Sequence, residues 1–173
     1  MKALEFINKI YLVVEVFHSN PFDKYYRIID DNNEEQAFHA DNFNVVEQDI
    51  VAPAIYKHFK HEQKPDKYIY ATMGITQPIN HDEFAKLYST ANDEDKLCAE
   101  HTETQECLLI IKKDGKLYSD SSKDICISSL VIYVSLYDNH LAYARPYEMF
   151  AGLVDKEKYP NVKQTFRLEM IKY

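Results

Sequence analysis

The sequence predicts a mainly β protein with minor α content, organised as two consecutive small β units, and three observations predict it. Runs dense in β-branched and aromatic residues recur at close spacing. Short segments rich in Asn, Asp or Pro separate the early runs and read as turns and loops. Fourteen Tyr and nine Phe, in a chain that is 46% hydrophobic, supply the large side chains of a core. A length of 173 residues corresponds to one medium domain or two small ones, at roughly 100–200 residues per domain.

Taken in order, residues 9–17 (KIYLVVEVF) and 24–30 (KYYRIID) read as strands joined by a polar, Pro-containing loop at His18–Asp23. The run Asp31-Asn32-Asn33 is a turn, since Asn and Asp tolerate left-handed backbone angles. It leads into short strands at Glu34–Phe38 and Phe43–Glu47, which completes a set of antiparallel strands. Asp49 to Pro53 forms a linker or shared corner. Further on, Asn80 with Glu83 makes a capping box that opens a helix, with Phe84, Leu87 and Tyr88 on one face and an end near Ala91–Asp93. Cys107–Ile111 turns at Lys113-Asp114-Gly115-Lys116 and returns through Leu117-Tyr118 as a hairpin. In Leu130–Tyr137, alternation predicts a strand with Leu130, Ile132, Val134 and Leu136 facing inward and Val131, Tyr133, Ser135 and Tyr137 facing outward, beneath some covering layer.

Two resemblances sharpen this outline. The run KIYLVVEV…YYRIIDDNNEEQAFHADNFNVVE (residues 9–47) resembles the small Src-homology-3-like (SH3-like) barrels common in phage and prophage proteins, with Asn33 where the turn glycine usually stands. The segments IYKHF (55–59), AEHTET (99–104) and ARPYEMF (144–150) are similar to the domain of unknown function 1653 family, a short bacterial and phage family with an SH3-like barrel. Tyr143 and Glu100 stand where that family has Trp and Arg. The resemblances imply two SH3-like antiparallel β-barrels, residues 1–49 and 50–173, the second carrying a helix near 74–97 and a hairpin near 107–127 as insertions. They also imply phage or prophage origin.

Charge and composition exclude several function classes. The formal net charge of −8 argues against broad electrostatic capture of nucleic-acid phosphate or an anionic membrane. It is uneven: residues 1–50 hold 4 basic and 10 acidic side chains, whereas the remainder holds 16 and 18. Only three glycines, Gly74, Gly115 and Gly152, occur, all isolated, so no Walker loop, dinucleotide fingerprint or nucleophile elbow can be built. No apolar run approaches the roughly 18 residues that span a bilayer, and the first ten residues lack signal-peptide features, so a cytoplasmic protein without a membrane partner is expected. Cys98, Cys107 and Cys126 form neither an even disulfide framework nor a CxxC pair, a pattern that fits a reducing compartment.

Residues able to carry chemistry are few. Cys98, His101, Cys107 and Cys126 offer soft ligands, but their spacing is poor for zinc and Cys107 opens an apolar strand where a thiol is an ordinary core choice. His58 and His61 read as a strand end and a polar loop, solvated or stacked. In His101-Thr102-Glu103-Thr104 an imidazole, hydroxyls and a carboxylate share one loop, whose plain reading is a turn that satisfies its own backbone. Arg145 beside Pro146, with Tyr143, Tyr133 and Tyr56 nearby, is suited to clamp an anionic or planar group, or else to pair with an acidic neighbour while the tyrosines cover the barrel ends.

The expectation is therefore a non-catalytic binding or adaptor protein with no metal and no cofactor. Tyr56, His58, His101, Glu103, Tyr133, Tyr143 and Arg145 are its candidate ligand-binding residues. Asp30, Asp31, Glu34 and Glu35 are its candidate contacts to a protein partner of basic character, such as a host factor it inhibits. The competing expectation is an enzyme or nucleotide-processing accessory using His101, Glu103 and Arg145. Direct nucleic-acid binding ranks third.

Overall fold

A computed structural model describes residues 3–6, 9–20, 23–30, 32–46, 48–138 and 142–172. The chain divides into two compact units, Met1–Asp49 and Ile50–Tyr173. In the first unit β1 (Ala3–Phe6), β2 (Lys9–Asn20), β3 (Asp23–Ile29), β4 (Glu35–His39) and β5 (Asn44–Val46) form a sheet in the order β4-β3-β2-β1-β5. Every pairing in it is antiparallel. The long β2 serves both halves: up to Leu12 it pairs with β1, and from Val13 onward it pairs with β3, with an irregularity between Val13 and Glu15. An extra residue of this kind bends a strand and increases its twist. The expected loop at His18–Asp23 is tighter than its polar composition suggested, because pairing continues from His18–Lys24 to Asn20–Asp23. Asn33 adopts φ 62°, and the Asp30 carboxylate accepts hydrogen bonds from the backbone N–H groups of Asn32 (2.8 Å) and Glu34 (3.0 Å). Tyr26 and Ile28 form the core, packed by Tyr11, Val13, Ala40 and Phe43. A 3-10 turn, Ala40–Asn42, links β4 to β5.

The second unit holds β6 (Ala54–His58), β7 (Ile69–Ile79), α1 (His81–Thr90), β8 (Lys96–His101), β9 (Cys107–Lys113), β10 (Lys116–Asp120), β11 (Leu130–Ser135), β12 (Ala142–Pro146), α2 (Tyr147–Phe150) and β13 (Leu168–Lys172). Its sheet runs β10-β9-β8-β12-β11-β7-β6-β13, and β10 also pairs with β7, so six strands close into a barrel from which β6 and β13 extend. The expectation of a purely antiparallel barrel with an appended hairpin is corrected here. The pairs β7–β10 and β8–β12 are parallel, and the β9–β10 hairpin supplies two of the six staves, without which the wall would not close. The Asn80 half of the expected capping box forms, its Oδ1 accepting from the Glu83 N–H at 3.0 Å, and α1 ends at Thr90.

Inside the barrel, Ala99, Ala142 and Ala144 leave room for Leu108, Ile110, Leu117, Leu130 and Ile132. The predicted inner face of β11 is this interior. Its outer residues, Val131 and Tyr133, are covered by Phe150, Tyr56 and Leu168, so β11 is buried on both sides up to Tyr133. The alternation fails at Leu136, which lies past the strand end and is exposed.

The cysteine expectation also needs correction. Cys98 on β8 and Cys107 on β9 are joined by a disulfide, their Cα atoms 6.0 Å apart. The loop between the strands brings them to diagonal positions on the exterior of the wall, where both are exposed. Cys126 is a buried free thiol. The cysteine pattern thus gives no support to a reducing compartment.

Gly74 sits where β7 shifts register against β11, and a Cβ there would lie 2.7 Å from Leu117 Cδ1 of β10. Gly74→Val is expected to destabilise by about 1–3 kcal/mol through overpacking. Combining it with Leu117→Ala should cost less than the two single changes together, as measured by urea denaturation of all four proteins.

Candidate functional site

On β12 the inward side chains are Ala142 and Ala144, so the same alternation turns Tyr143 and Arg145 to the outer side of the barrel wall. Register places Tyr143 directly across from Tyr133 on β11. The loop after β8 is held against β12 by the Thr102 N–H, which donates to the Ala144 carbonyl at 3.0 Å. That contact brings Thr102 and Glu103 to Arg145. The Arg145 Nε donates to Thr102 Oγ1 at 3.2 Å, Thr102 Oγ1 donates to Glu103 Oε1 at 3.0 Å, and Arg145 Nη2 lies 3.7 Å from the same carboxylate oxygen. The Arg145 side chain is 18% exposed and that of Glu103 is 41% exposed, so a largely covered guanidinium is paired with a carboxylate that still meets solvent.

From this ion pair a ribbon of rings crosses the outer sheet. Tyr143 lies 5.6 Å from Tyr133, Tyr133 meets Tyr70 edge-on at 5.3 Å, and the hydroxyls of Tyr70 and Tyr137 hydrogen-bond at 2.9 Å. Tyr137 then neighbours Tyr68, which neighbours His58, which stacks on Phe59 at 4.3 Å. Burial pushes the Tyr133 hydroxyl up to about 12, opposed by the field of Arg145. Burial and the Tyr137 hydrogen bond raise Tyr70 as well. His58 is pulled down to about 3, first by burial and then by Arg145, Lys60 and Arg167, which all disfavour a second positive charge. Its neutral ring accepts a hydrogen bond from the Lys60 N–H through Nδ1 at 3.2 Å.

The fold therefore gathers Glu103, Tyr133, Tyr143 and Arg145 on one side, with His58 at the far end of the ribbon. Tyr56 lies beneath Phe150, with its hydroxyl accepting from the Val51 N–H at 2.8 Å and facing the Val51 carbonyl, so it acts as a buried brace. His101 shares the inward face of β8 with Ala99, on the opposite side of the wall from Arg145. Its Nδ1 bonds with Thr104 Oγ1 at 3.1 Å, and its buried Nε2 has no hydrogen-bond partner among the described residues. Cys98 points outward and is already bonded to Cys107, so the four soft ligands do not converge, and no cluster of metal-ligating side chains is found among the described residues.

Of the acidic residues in the first unit, Asp30 shapes its own turn, Asp31 lies outside the described residues, and Glu34 and Glu35 are exposed. Glu35 lies 3.9 Å from Arg27, which also pairs with Glu15 at 3.0 Å. Sequence reasoning missed what surrounds Arg27. Phe17 stacks on Tyr25 at 5.5 Å, Tyr25 meets His39 edge-on at 5.2 Å, and the guanidinium lies over the Phe17 ring. These rings come from three strands, aligned by the register Phe17–Tyr25–His39.

The fold defines a class, a closed six-stranded mixed barrel joined to a five-stranded antiparallel sheet. Neither a family model, nor a curated protein, nor a solved structure matches the chain. Among the described residues no helix is long and apolar enough to cross a membrane.

Because native His58 resists protonation while the unfolded chain takes up a proton near pH 6.5, stability falls as pH drops through that range toward 3. Between pH 7 and pH 5 the wild type should lose about 2 kcal/mol more than His58→Phe, measured by urea denaturation at each pH.

Proposed function

We propose that the chain is a non-catalytic binding protein whose first unit is an SH3-like barrel that recognises a protein partner of basic character. The observation that carries the reading is the ring ladder Phe17–Tyr25–His39 beside the carboxylates of Glu15 and Glu35, on the unit that holds most of the chain's negative charge. Aromatic side chains give contact area at low entropic cost, and flanking carboxylates steer a cationic partner toward them. The SH3-like assignment is supported by the strand order, by the bent β2 shared between both halves of the sheet, and by the 3-10 turn before β5.

For the second unit we propose kinship with the domain of unknown function 1653 family and a supporting, ligand-responsive role. Two of the segments that suggest the family meet in space, since Thr102 of AEHTET receives the hydrogen bond from Arg145 of ARPYEMF. A cytoplasmic, phage-encoded inhibitor of a host factor is the form of partner binding this reading favours.

The test is affinity capture from a bacterial lysate with wild-type protein, with the double variant Glu15→Lys/Glu35→Lys, and with Arg145→Ala. The reading predicts that a basic protein is retained, that the charge-reversed variant retains about tenfold less, and that Arg145→Ala retains it as wild type does. Equal retention by the charge-reversed protein, or none by any of the three, contradicts it.

A further inference from the structure

α1 packs on β10, and beside it opens a cleft of about 270 Å³. Its walls are mostly apolar, lined by Phe84, Ala85 and Tyr88 from the helix and by Leu108 and Leu109 of β9. Cys126 forms part of the lining, and burial raises its thiol, so it adds no charge. The polar groups that line the cleft are His81, Asp120 and Lys123. Asp120 is already committed: its Oδ2 accepts from His81 Nδ1 at 2.7 Å and its Oδ1 from the Ser122 N–H at 3.0 Å. The contact with Asp120 also raises His81, favouring its charged form. Lys123 has no carboxylate within ion-pair distance among the described residues. The lining thus offers one uncommitted cation, Lys123, beside an Asp120 already hydrogen-bonded to His81 and Ser122, in a chain whose net charge is −8.

We propose that this cleft is a binding site for a small monocarboxylate with an apolar body, the carboxylate paired with Lys123 and a single ring or short alkyl chain lodged between Phe84 and Leu109. The volume lies at the lower edge of small-molecule sites, which run from about 300 Å³ upward, and so admits one ring or a chain of about six carbons. A single free ammonium group neutralises one carboxylate, and a phosphate or dicarboxylate would leave charge unpaired against an apolar wall. The site is independent of the partner-binding surface assigned to the first unit.

The experiment is a titration of the full chain with phenylacetate and hexanoate, and with the neutral amides of both, followed by ¹H–¹⁵N correlation spectra. The expected result is saturable shifts at the amides of Phe84, Ala85 and Leu109, with each carboxylate binding at least tenfold more tightly than its amide. Lys123→Ala should weaken carboxylate binding at least fivefold. Ala85→Trp, a change at an exposed helix position, should block both ligands while leaving the thermal midpoint within a few degrees of wild type. Equal binding of acid and amide, shifts confined to other regions, or unaltered affinity in both variants would overturn the proposal.

Discussion

The parallel pairing of β10 with the second half of β7 is the constraint on which the rest of the second unit depends. β7 pairs with β6 at its start, with β11 along its middle and with β10 from Thr76 to Ile79. A strand can change neighbours in this way only where its backbone can bend and its side chains leave space, and both conditions meet at Gly74 against Leu117. The seam is then satisfied from within. Thr76 Oγ1 accepts from the Leu130 N–H at 2.9 Å and from Ser119 Oγ at 3.2 Å, tying β7, β10 and β11 together at a fully buried point.

Closure has a direct effect on the site. Once the wall is a barrel, the period of two along each strand sorts side chains into an interior and an exterior. Ala99 and His101 go inward from β8, while Tyr143 and Arg145 go outward from β12. The loop carrying Thr102 and Glu103 leaves the wall immediately after His101 and returns to the outer side, where Arg145 meets it. Residues adjacent in the AEHTET segment therefore serve different places: His101 serves the packed interior, and Thr102 and Glu103 serve the outer ion pair.

Much of the local structure was legible because it is written in short-range chemistry. Asn80 and Glu83 are three apart and cap a helix by their own geometry, and the Asn33 turn and the Lys113–Lys116 hairpin follow from residues that tolerate their backbone angles. The two faces of β11 were readable from alternation alone, since each of its faces meets a core. What was not legible depends on pairing between distant segments. The β7–β10 ladder joins residues about 40 positions apart, and nothing local to either strand specifies a parallel neighbour. The Cys98–Cys107 bond required the diagonal register of β8 and β9, and the Phe17–Tyr25–His39 ladder required the register of three strands at once. Arg145 and Glu103 were singled out by residue type, but Thr102 as the link between them was visible only once β8 and β12 lay side by side.

Amide hydrogen exchange of the full chain, resolved by residue, tests the closed barrel most directly. The backbone of β10, paired on one side with β9 and on the other with β7, should exchange as slowly as that of β11, within about tenfold, because both open only when the barrel does. Amides of Leu117–Asp120 that exchange orders of magnitude faster than those of Ile132–Val134 would mean that the hairpin is an edge appendage and that the barrel is not closed.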